Sequence, residues 1–264
     1  MTRVISFSSG KGGVGKTTLV ANMGHLWAKR GKRTLLLDGD WSLGKLSITL
    51  GVKTQSTIEK VLEGKVRISD AIQQVAPDLF LLAAPSGILG FEELSEESRT
   101  RLFYELEQLS GQFDLILFDH SSGVNWGVLQ FAAASHQHVI VTTAEPTSYT
   151  DAYAIMKLLS KRFSVRDFCL LVTSSQAHAE TDKVITRFID VTRSHLDVRL
   201  RLLDIFPWEP KLAESIRRRQ PFVGLYPSSD FTVRLERACQ QLEEVGPTPS
   251  HGLHFFYENQ MPVR

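Results

Sequence analysis

The residues with the clearest capacity for chemistry lie near the N-terminus, in the stretch SSGKGGVGKTTL from Ser8 to Leu19. The segment Gly10–Thr17 matches the pattern G-x-x-x-x-G-K-[ST] in full, directly after a short apolar run and directly before a helical pattern. Glycines let the backbone curl so that several N–H groups point at phosphate oxygens, and the following helix N-terminus adds partial positive charge. The loop therefore predicts a nucleotide site formed by Gly10, Lys11, Gly12, Gly13, Val14, Gly15, Lys16, Thr17 and Thr18.

Three side chains of this loop have more specific expectations. Lys16 should reach the β- and γ-phosphates, and the Thr17 hydroxyl should be a ligand of Mg²⁺. Lys11 is unusual, because an ordinary phosphate loop requires no lysine at its second position. Lys11 is therefore either a functional residue of the loop or an ordinary lysine that is exposed to solvent.

Hydrolysis of a bound nucleotide also needs a metal ion and a positioned water, and two later strands end in aspartate. RTLLLD ends at Asp38 and is followed by Gly39 and Asp40, whereas DLILFD ends at Asp119. An open parallel sheet binds its ligands at the carboxyl ends of its strands. We expect Asp119 to hold Mg²⁺ through water. A helix cap or a turn is the alternative role for an aspartate at a strand end.

Short β-rich runs alternate with helical stretches along the chain, which indicates an α/β fold. The predicted strands are apolar without alternation, as in a parallel sheet that is buried on both faces; they are RVISFS, RTLLLD, LFLLAA, DLILFD, HVIVTTA, FCLLVTS and RLRLLDIF. The stretch after Asp40 is predicted to be irregular, and ISDAIQQV to be helical. We predict a P-loop NTPase three-layer sandwich, with one ATPase domain at residues 1–245 and a tail at 246–264.

The composition sets limits on the class of protein. The chain has 264 residues, 42% of them hydrophobic, and a formal net charge of +1, so no overall field draws it to nucleic acid. The two cysteines, Cys169 and Cys239, lie far apart and outside any CxxC pair, which indicates a reducing compartment. With no apolar run long enough to span a membrane, the chain is expected to be cytoplasmic.

The stretch KGGVGKT resembles the deviant Walker A loop of the ParA/MinD family of ATPases. The resemblance implies ATP or ADP with Mg²⁺ as cofactors, slow ATP hydrolysis, and a homodimer formed on ATP binding in which Lys11 reaches the partner's phosphates. It places Asp38 and Asp40 in switch I, with Asp40 orienting the attacking water and Asp38 joining Thr17 and Asp119 around the metal. Lys11, Lys16 and Asp40 would be the catalytic residues, and residues 120–123 would form switch II.

Within that family, TTAEPTSYTDAYAIMKLL from Thr142 to Leu159 resembles the FlhG/FleN branch, which controls flagellar number and placement. The resemblance covers roughly residues 3–243 and implies a protein partner of flagellar or polarity machinery. It places Glu145 and Asp151 near Lys11 and the dimer or partner face. A local alternative for Asp151 is a capping box formed by Ser148–Asp151 at the start of the following helix.

The chain departs from the family pattern at two places. Ser121 and Ser122 alter switch II, which motivates a rival interpretation as a non-hydrolysing nucleotide-binding scaffold. Thr173 stands where an asparagine commonly contacts adenine, so adenine preference is a weaker inference than phosphate binding. We expect Thr173, Pro207 and Trp208 to lie at the base, with Trp208 either stacking on it or packing locally.

The sequence leaves alternative roles for two further segments, the C-terminal tail and the basic C-terminal third. The tail carries Leu253, Phe255 and Phe256 but few cations, so it either contacts the inner face of the membrane peripherally or docks on the protein's own surface. The C-terminal third is locally basic, and a DNA-partitioning ATPase is therefore a less favoured alternative to a solvated helix face; the residues concerned are Arg187, Arg193, Arg199, Arg201 and Arg217–Arg219.

Overall fold

The structure is a computed structural model that describes residues 2–41, 44–84, 95–175 and 179–246. Within these residues eight strands form one sheet, namely β1 (Arg3–Ser9), β2 (Thr34–Gly39), β3 (Gln73–Ala76), β4 (Leu79–Leu82), β5 (Leu115–Ser122), β6 (Gln137–Thr143), β7 (Asp167–Ser175) and β8 (Arg199–Pro207). Their order across the sheet is β3-β4-β2-β5-β1-β6-β7-β8. All neighbours pair in parallel except β3 and β4, which are antiparallel.

Eleven helices within the described residues connect and flank these strands. They are α1 (Lys16–Lys29), α2 (Lys45–Leu50), α3 (Ile58–Leu62), α4 (Ile68–Ala71), α5 (Glu96–Glu107), α6 (Trp126–Ala134), α7 (Pro146–Phe163), α8 (Ala179–Leu196), α9 (Lys211–Arg218), α10 (Phe222–Leu225) and α11 (Asp230–Val245).

The sheet is buried on both faces, as the strand composition predicted. In β2, Leu36 packs in the cluster that contains α1 and α11, whereas Leu35 and Leu37 pack in the cluster that contains α3 and α5. A third cluster joins α7 and α8 to β6 and β7. Successive strand residues point to opposite faces, so an apolar run without alternation supplies both layers. The predicted P-loop fold class, a mostly parallel sheet between helical layers, is confirmed.

Two predicted elements were wrong. The stretch after Asp40 contains α2, which is only six residues long and therefore too short for its periodicity to stand out. Its Leu46 is fully buried and holds the helix on the core. In ISDAIQQV only Ile68–Ala71 is helical, and Gln73–Ala76 forms the edge strand β3. Pairing of β3 with β4 across the turn at Asp78, which has φ 56°, overrides the local helical pattern.

None of the helices in the described ranges is long and apolar enough to cross a membrane. The division at residue 245 stays a prediction, and the expectations about the tail concern residues 247–264, which lie outside the described residues.

Candidate active site

The glycine loop connects β1 at the centre of the sheet to the first residue of α1. Gly13 and Gly15 have φ of 79° and 87°, a region that residues with a Cβ rarely adopt, and they turn the backbone into the helix. Gly15 caps α1 without any side-chain hydrogen bond, and the first helical turn carries no acidic residue. The helix N-terminus is therefore left to an external anion, as the sequence predicted for a phosphate site.

Helix α7 packs directly against the start of this loop. A Cβ placed on Gly10 would lie 2.2 Å from Cβ of Asp151 and 2.7 Å from its backbone carbon. Glycine is therefore required at position 10 by the close approach of α7 rather than by an unusual φ. Asp151 lies at the phosphate loop, as the family resemblance implied.

The capping-box alternative for Ser148–Asp151 is wrong, because α7 begins earlier. Its N-cap is Glu145 and its first residue is Pro146, so Ser148 already lies in the first turn. The Ser148 hydroxyl instead accepts a hydrogen bond from the backbone N–H of Thr143 at 3.0 Å and lies 2.9 Å from the Thr142 hydroxyl. Proline is favoured at the first helical position, because the N–H that it lacks would have no partner within the helix there.

Lys16 joins the loop to the end of β5. Its ammonium lies 2.7 Å from Asp119 Oδ1, and it also donates to the backbone carbonyl of His120. Both side chains of the ion pair are buried. The His120 ring stacks on Phe118, and burial lowers its pKa well below the ordinary value, with Lys16 as a further cause, so the ring is neutral.

Strand register places two carboxylates side by side. Asp38 of β2 pairs with Asp119 of β5, and both are buried. Burial raises the pKa of Asp38 to about 7, and repulsion by Asp119 adds to that effect. Asp38 accepts backbone hydrogen bonds from Asp40 at 3.1 Å and from Leu46 at 3.0 Å, which fix its orientation. Two neighbouring buried carboxylates are an arrangement that a divalent cation would stabilise.

The donor set fits Mg²⁺ shared with a phosphate ligand. Asp119 Oδ2 is buried and has no hydrogen-bond partner, so one oxygen of the carboxylate is left for a ligand. No group of three or more His, Cys, Asp or Glu in the described residues could hold a metal by itself. Mg²⁺ ordinarily binds through one or two carboxylates, substrate phosphates and waters. The predicted set of Thr17, Asp38 and Asp119 is consistent with this chemistry.

A cleft of about 420 Å³ runs along the loop and brings most of the predicted residues together. It is lined by Gly12–Thr18, Asp40 and Ser122, together with residues that the sequence reasoning missed. These are Lys45, Ile48 and Thr49 of α2 and Ile216 of α9. Lys45 forms an ion pair with Asp40 at 2.9 Å. The sequence did not indicate that Lys45 lies at the cleft, because the helix that places it there, α2, was not predicted.

Lys11 lies on the outer side of the same loop. Its ammonium is 2.5 Å from Glu145 Oε2, and both side chains are substantially exposed. Exposed ion pairs contribute only about 0–1 kcal/mol. The contact therefore orients Lys11 without preventing it from moving to another anion.

The residues predicted to contact a base line a second cavity of about 200 Å³. Thr173, Pro207 and Trp208 all contribute to it. The Thr173 hydroxyl donates to the carbonyl of Val14 at 2.6 Å and lies 3.3 Å from the carbonyl of Thr142. Thr173 therefore connects the end of β7 to the phosphate loop, which its position in the sequence did not indicate.

The basic residues of the C-terminal third are spread over several elements. Arg193 donates to the Leu200 carbonyl, Arg199 pairs with Asp167, and Arg218 pairs with Glu214. The two ion pairs neutralise part of the charge that a DNA surface would need, which favours the solvated-face interpretation.

Comparisons with known proteins agree with this geometry. A family model described as an AAA domain matches residues 2–164, which is more than half of the chain. Antiactivator FleN of Pseudomonas aeruginosa is 27% identical over 258 residues, covering 97% of this chain and 92% of FleN. Flagellum site-determining protein YlxH of Helicobacter pylori is 28% identical over 264 residues, covering 97% of this chain and 89% of YlxH.

A solved structure gives the same result for the fold. The MinC:MinD cell division protein complex of Aquifex aeolicus contains a chain that matches with a TM-score of 0.73 at 27% identity, covering 96% of this chain and 99% of that one. This chain is a member of the ParA/MinD family of AAA-domain ATPases. The resemblance of KGGVGKT to the ParA/MinD loop is thereby confirmed, and so is the likeness to the FlhG/FleN branch. ATP and Mg²⁺ are the cofactors of ParA/MinD proteins, as expected from the sequence.

Proposed function

We propose that this chain is a Mg²⁺-dependent ATPase that dimerises when it binds ATP and that organises the number or position of flagella. The observation that carries the ATPase proposal is that the glycine loop and Lys16 line one cleft, and that Lys16 contacts the buried Asp119, whose Oδ2 has no hydrogen-bond partner. The flagellar part depends on the likeness to FleN and YlxH over nearly the whole chain.

Binding would begin at the loop. The backbone N–H groups of Gly12–Lys16 and the N-terminus of α1 hold the phosphates, and Lys16 exchanges Asp119 and the His120 carbonyl for phosphate oxygens. The released carboxylate of Asp119, with Asp38 and the Thr17 hydroxyl, is then available to the metal. When bound, Mg²⁺ would neutralise phosphate charge and stabilise the charge that develops during phosphoryl transfer.

Hydrolysis would use Asp40, the carboxylate that lines the cleft and pairs with Lys45 of α2. Asp40 orients the attacking water, and the ion pair with Lys45 at 2.9 Å holds that carboxylate in place. The products are ADP and phosphate. Lys11 leaves Glu145 and reaches the phosphates of a second subunit, which supplies a cation to the developing phosphoryl charge. Dimerisation therefore depends on bound nucleotide.

Phosphate release by the purified chain with Mg²⁺ and ATP tests the enzymatic proposal. We expect slow turnover that stops in Asp40→Ala while ATP is still bound. Turnover equal in Asp40→Ala and the unchanged protein would contradict the role of Asp40. Binding without any turnover in either would favour the rival non-hydrolysing scaffold, for which Ser121 and Ser122 are the motivating departures.

Removal of the gene from the organism that carries it tests the cellular role. We expect cells with an altered number or position of flagella, restored by the unchanged gene and not by the Lys16→Ala variant. Unaltered flagella would contradict the flagellar proposal and leave the ATPase proposal intact. A cytoplasmic protein with peripheral contact at the inner face of the membrane is the localisation that we propose.

A further inference from the structure

Lys45 of α2 is a cleft residue that has no contact with nucleotide in the proposed function. Among the described residues that line the cleft, the charged ones are Lys16, Asp40 and Lys45. Lys16 is buried and pairs with Asp119 at 2.7 Å. Lys45 pairs with Asp40 at 2.9 Å, and the side chain of Lys45 is 48% exposed whereas that of Asp40 is 10% exposed. The exposed part of Lys45 is therefore accessible to a ligand that enters the cleft.

The backbone on both sides of Lys45 is fixed to the site. Leu46 is fully buried, and its N–H donates to Asp38 Oδ2 at 3.0 Å. The N–H of Gly44 donates to the Asp40 carbonyl at 2.8 Å. A Cβ placed on Gly44 would lie 3.9 Å from Asp38 Oδ2. Lys45 therefore starts from a fixed backbone position beside a carboxylate proposed to hold the metal, and its side chain lines the cleft.

The ammonium group of Lys45 can contact more than one anion at the same time. It has three N–H donors, and the hydrogen bond to Asp40 Oδ2 uses one of them. A lysine side chain is a flexible four-carbon stem with rotatable donors, so the group can turn a second N–H towards a phosphate oxygen without releasing Asp40. Lys45 can therefore connect a carboxylate to a phosphate.

Asp40 and a γ-phosphate would repel each other in the proposed reaction. Orientation of the attacking water needs Asp40 within about 2.6–3.2 Å of that water, and the water within about 3–3.5 Å of the phosphorus. Two anionic groups then face each other across a single water molecule, and their repulsion disfavours binding of the γ-phosphate. A cation in contact with both groups offsets this repulsion, and Lys45 already contacts one of them.

We propose that Lys45 binds the γ-phosphate while it stays paired with Asp40, so that it favours ATP over ADP and holds the water-orienting carboxylate beside the phosphate that is attacked. The inference rests on the proposed ATPase function. The loop N–H groups hold phosphates that ATP and ADP share, whereas the γ-phosphate is absent from ADP. Lys45 should therefore contribute to the affinity for ATP and not to the affinity for ADP.

Calorimetric titration of the full chain with Mg²⁺ and either ATPγS or ADP measures this preference. Lys45→Met removes the charge at similar length. It should weaken ATPγS by about tenfold to a hundredfold, the loss expected for one hydrogen bond to a charged group, and leave ADP within about twofold. Lys45→Arg keeps a cation and should retain most of the affinity for ATPγS. Lys65→Met is the matched control, because Lys65 pairs with Glu63 on an exposed surface.

The ratio of the two affinities separates a phosphate contact from a structural role. An equal loss of ATPγS and ADP in Lys45→Met would show that Lys45 only maintains the shape of the cleft, and it would overturn the inference, as would an unchanged affinity for ATPγS. Where Lys45→Met fails to fold, Lys45→Gln tests the same loss of charge. Absence of binding of both nucleotides to the unchanged protein would contradict the proposed function itself, which keeps the two failures distinguishable.

A second substitution tests the connection to Asp40. In Lys45→Met the charge of Asp40 is no longer shielded by Lys45, so adding Asp40→Asn should raise the affinity for ATPγS by about threefold or more. With Lys45 present, Asp40→Asn should change that affinity less, because the cation already offsets the repulsion. An equal effect of Asp40→Asn with and without Lys45 would overturn the bridging role.

Discussion

Lys16 and Asp119 form a buried ion pair, with 2.7 Å between the ammonium and Asp119 Oδ1. The cation comes from the first residue of α1 and the anion from β5, so the pair connects the phosphate loop to the centre of the sheet. The two groups proposed to bind phosphate and metal neutralise each other when neither ligand is bound. Nucleotide entry then exchanges one set of charge contacts for another and leaves no isolated buried charge.

Lys16→Ala is expected to abolish nucleotide binding and to destabilise the fold. Asp119 would keep its burial and lose its cation, and breaking a buried pair in this way costs about 3–5 kcal/mol. Urea denaturation should show the loss of stability, and calorimetry with ATP and Mg²⁺ should show no binding. Lys65→Ala is the control for stability, because Lys65 pairs with Glu63 and both side chains are exposed. An equal loss of stability in both variants would contradict the special role of the buried pair.

Lys11→Ala is expected to leave nucleotide binding nearly unchanged and to prevent dimerisation. The exposed pair with Glu145 stabilises the monomer little, so the variant should fold normally. Light scattering with ATPγS and Mg²⁺ measures the molecular mass. Lys65→Ala is the matched control, since Lys65 also pairs with a carboxylate, that of Glu63, on an exposed surface. A Lys11→Ala protein that dimerises as well as the control would refute the two-subunit site.

Gly10→Ala is expected to destabilise the protein by about 2 kcal/mol or more, because the new methyl group would overlap the backbone of Asp151. Gly12→Ala is the control in the same loop, where the nearest atom to an added Cβ is Ser122 Oγ at 3.4 Å. Thermal unfolding of the two variants measures the difference. Equal melting temperatures for Gly10→Ala and Gly12→Ala would contradict this prediction, because they would show that α7 can shift away from the loop without cost.

The raised pKa of Asp38, about 7, predicts a pH dependence of stability in the protein without metal and nucleotide. Asp38 binds its proton more tightly in the folded state, so its contribution is fully present below the ordinary pKa and is lost as pH rises towards 7. Between pH 5.5 and 7.5, urea denaturation should show the unchanged protein losing about 2 kcal/mol more than Asp38→Asn, in which this group cannot titrate. Parallel pH profiles for the two proteins would contradict the raised pKa.

The parts of the site that were predictable are those encoded locally. The glycine loop, the strands that end at Asp38 and Asp119 and the alternation of strands with helices each occupy a short contiguous pattern. Parallel-sheet geometry then brings the carboxyl ends of these strands to the same edge. No long-range contact had to be known to place Asp38, Lys16 and Asp119 near one another.

The features that were missed depend on contacts between distant segments. The β3 edge strand exists because β4 pairs with it, and α2 exists because Leu46 is buried against the core. The hydrogen bond from Thr173 to Val14 joins residues 159 positions apart. Local propensity contains no information about such partners, so the hydrogen bond of Thr173 to the phosphate loop could not be predicted. The contact of Thr173 with a base stays a prediction.

The pairing of Asp38 with Asp119 has a consequence for how sequences of this kind can change in length. Side chains alternate faces along a strand, so inserting or deleting one residue within β2 or β5 would turn one carboxylate to the opposite layer of the sandwich. Connecting segments are free of this restriction. Length variation among homologues should therefore accumulate between the strands, and the segments Thr34–Gly39 and Leu115–Ser122 should align without gaps.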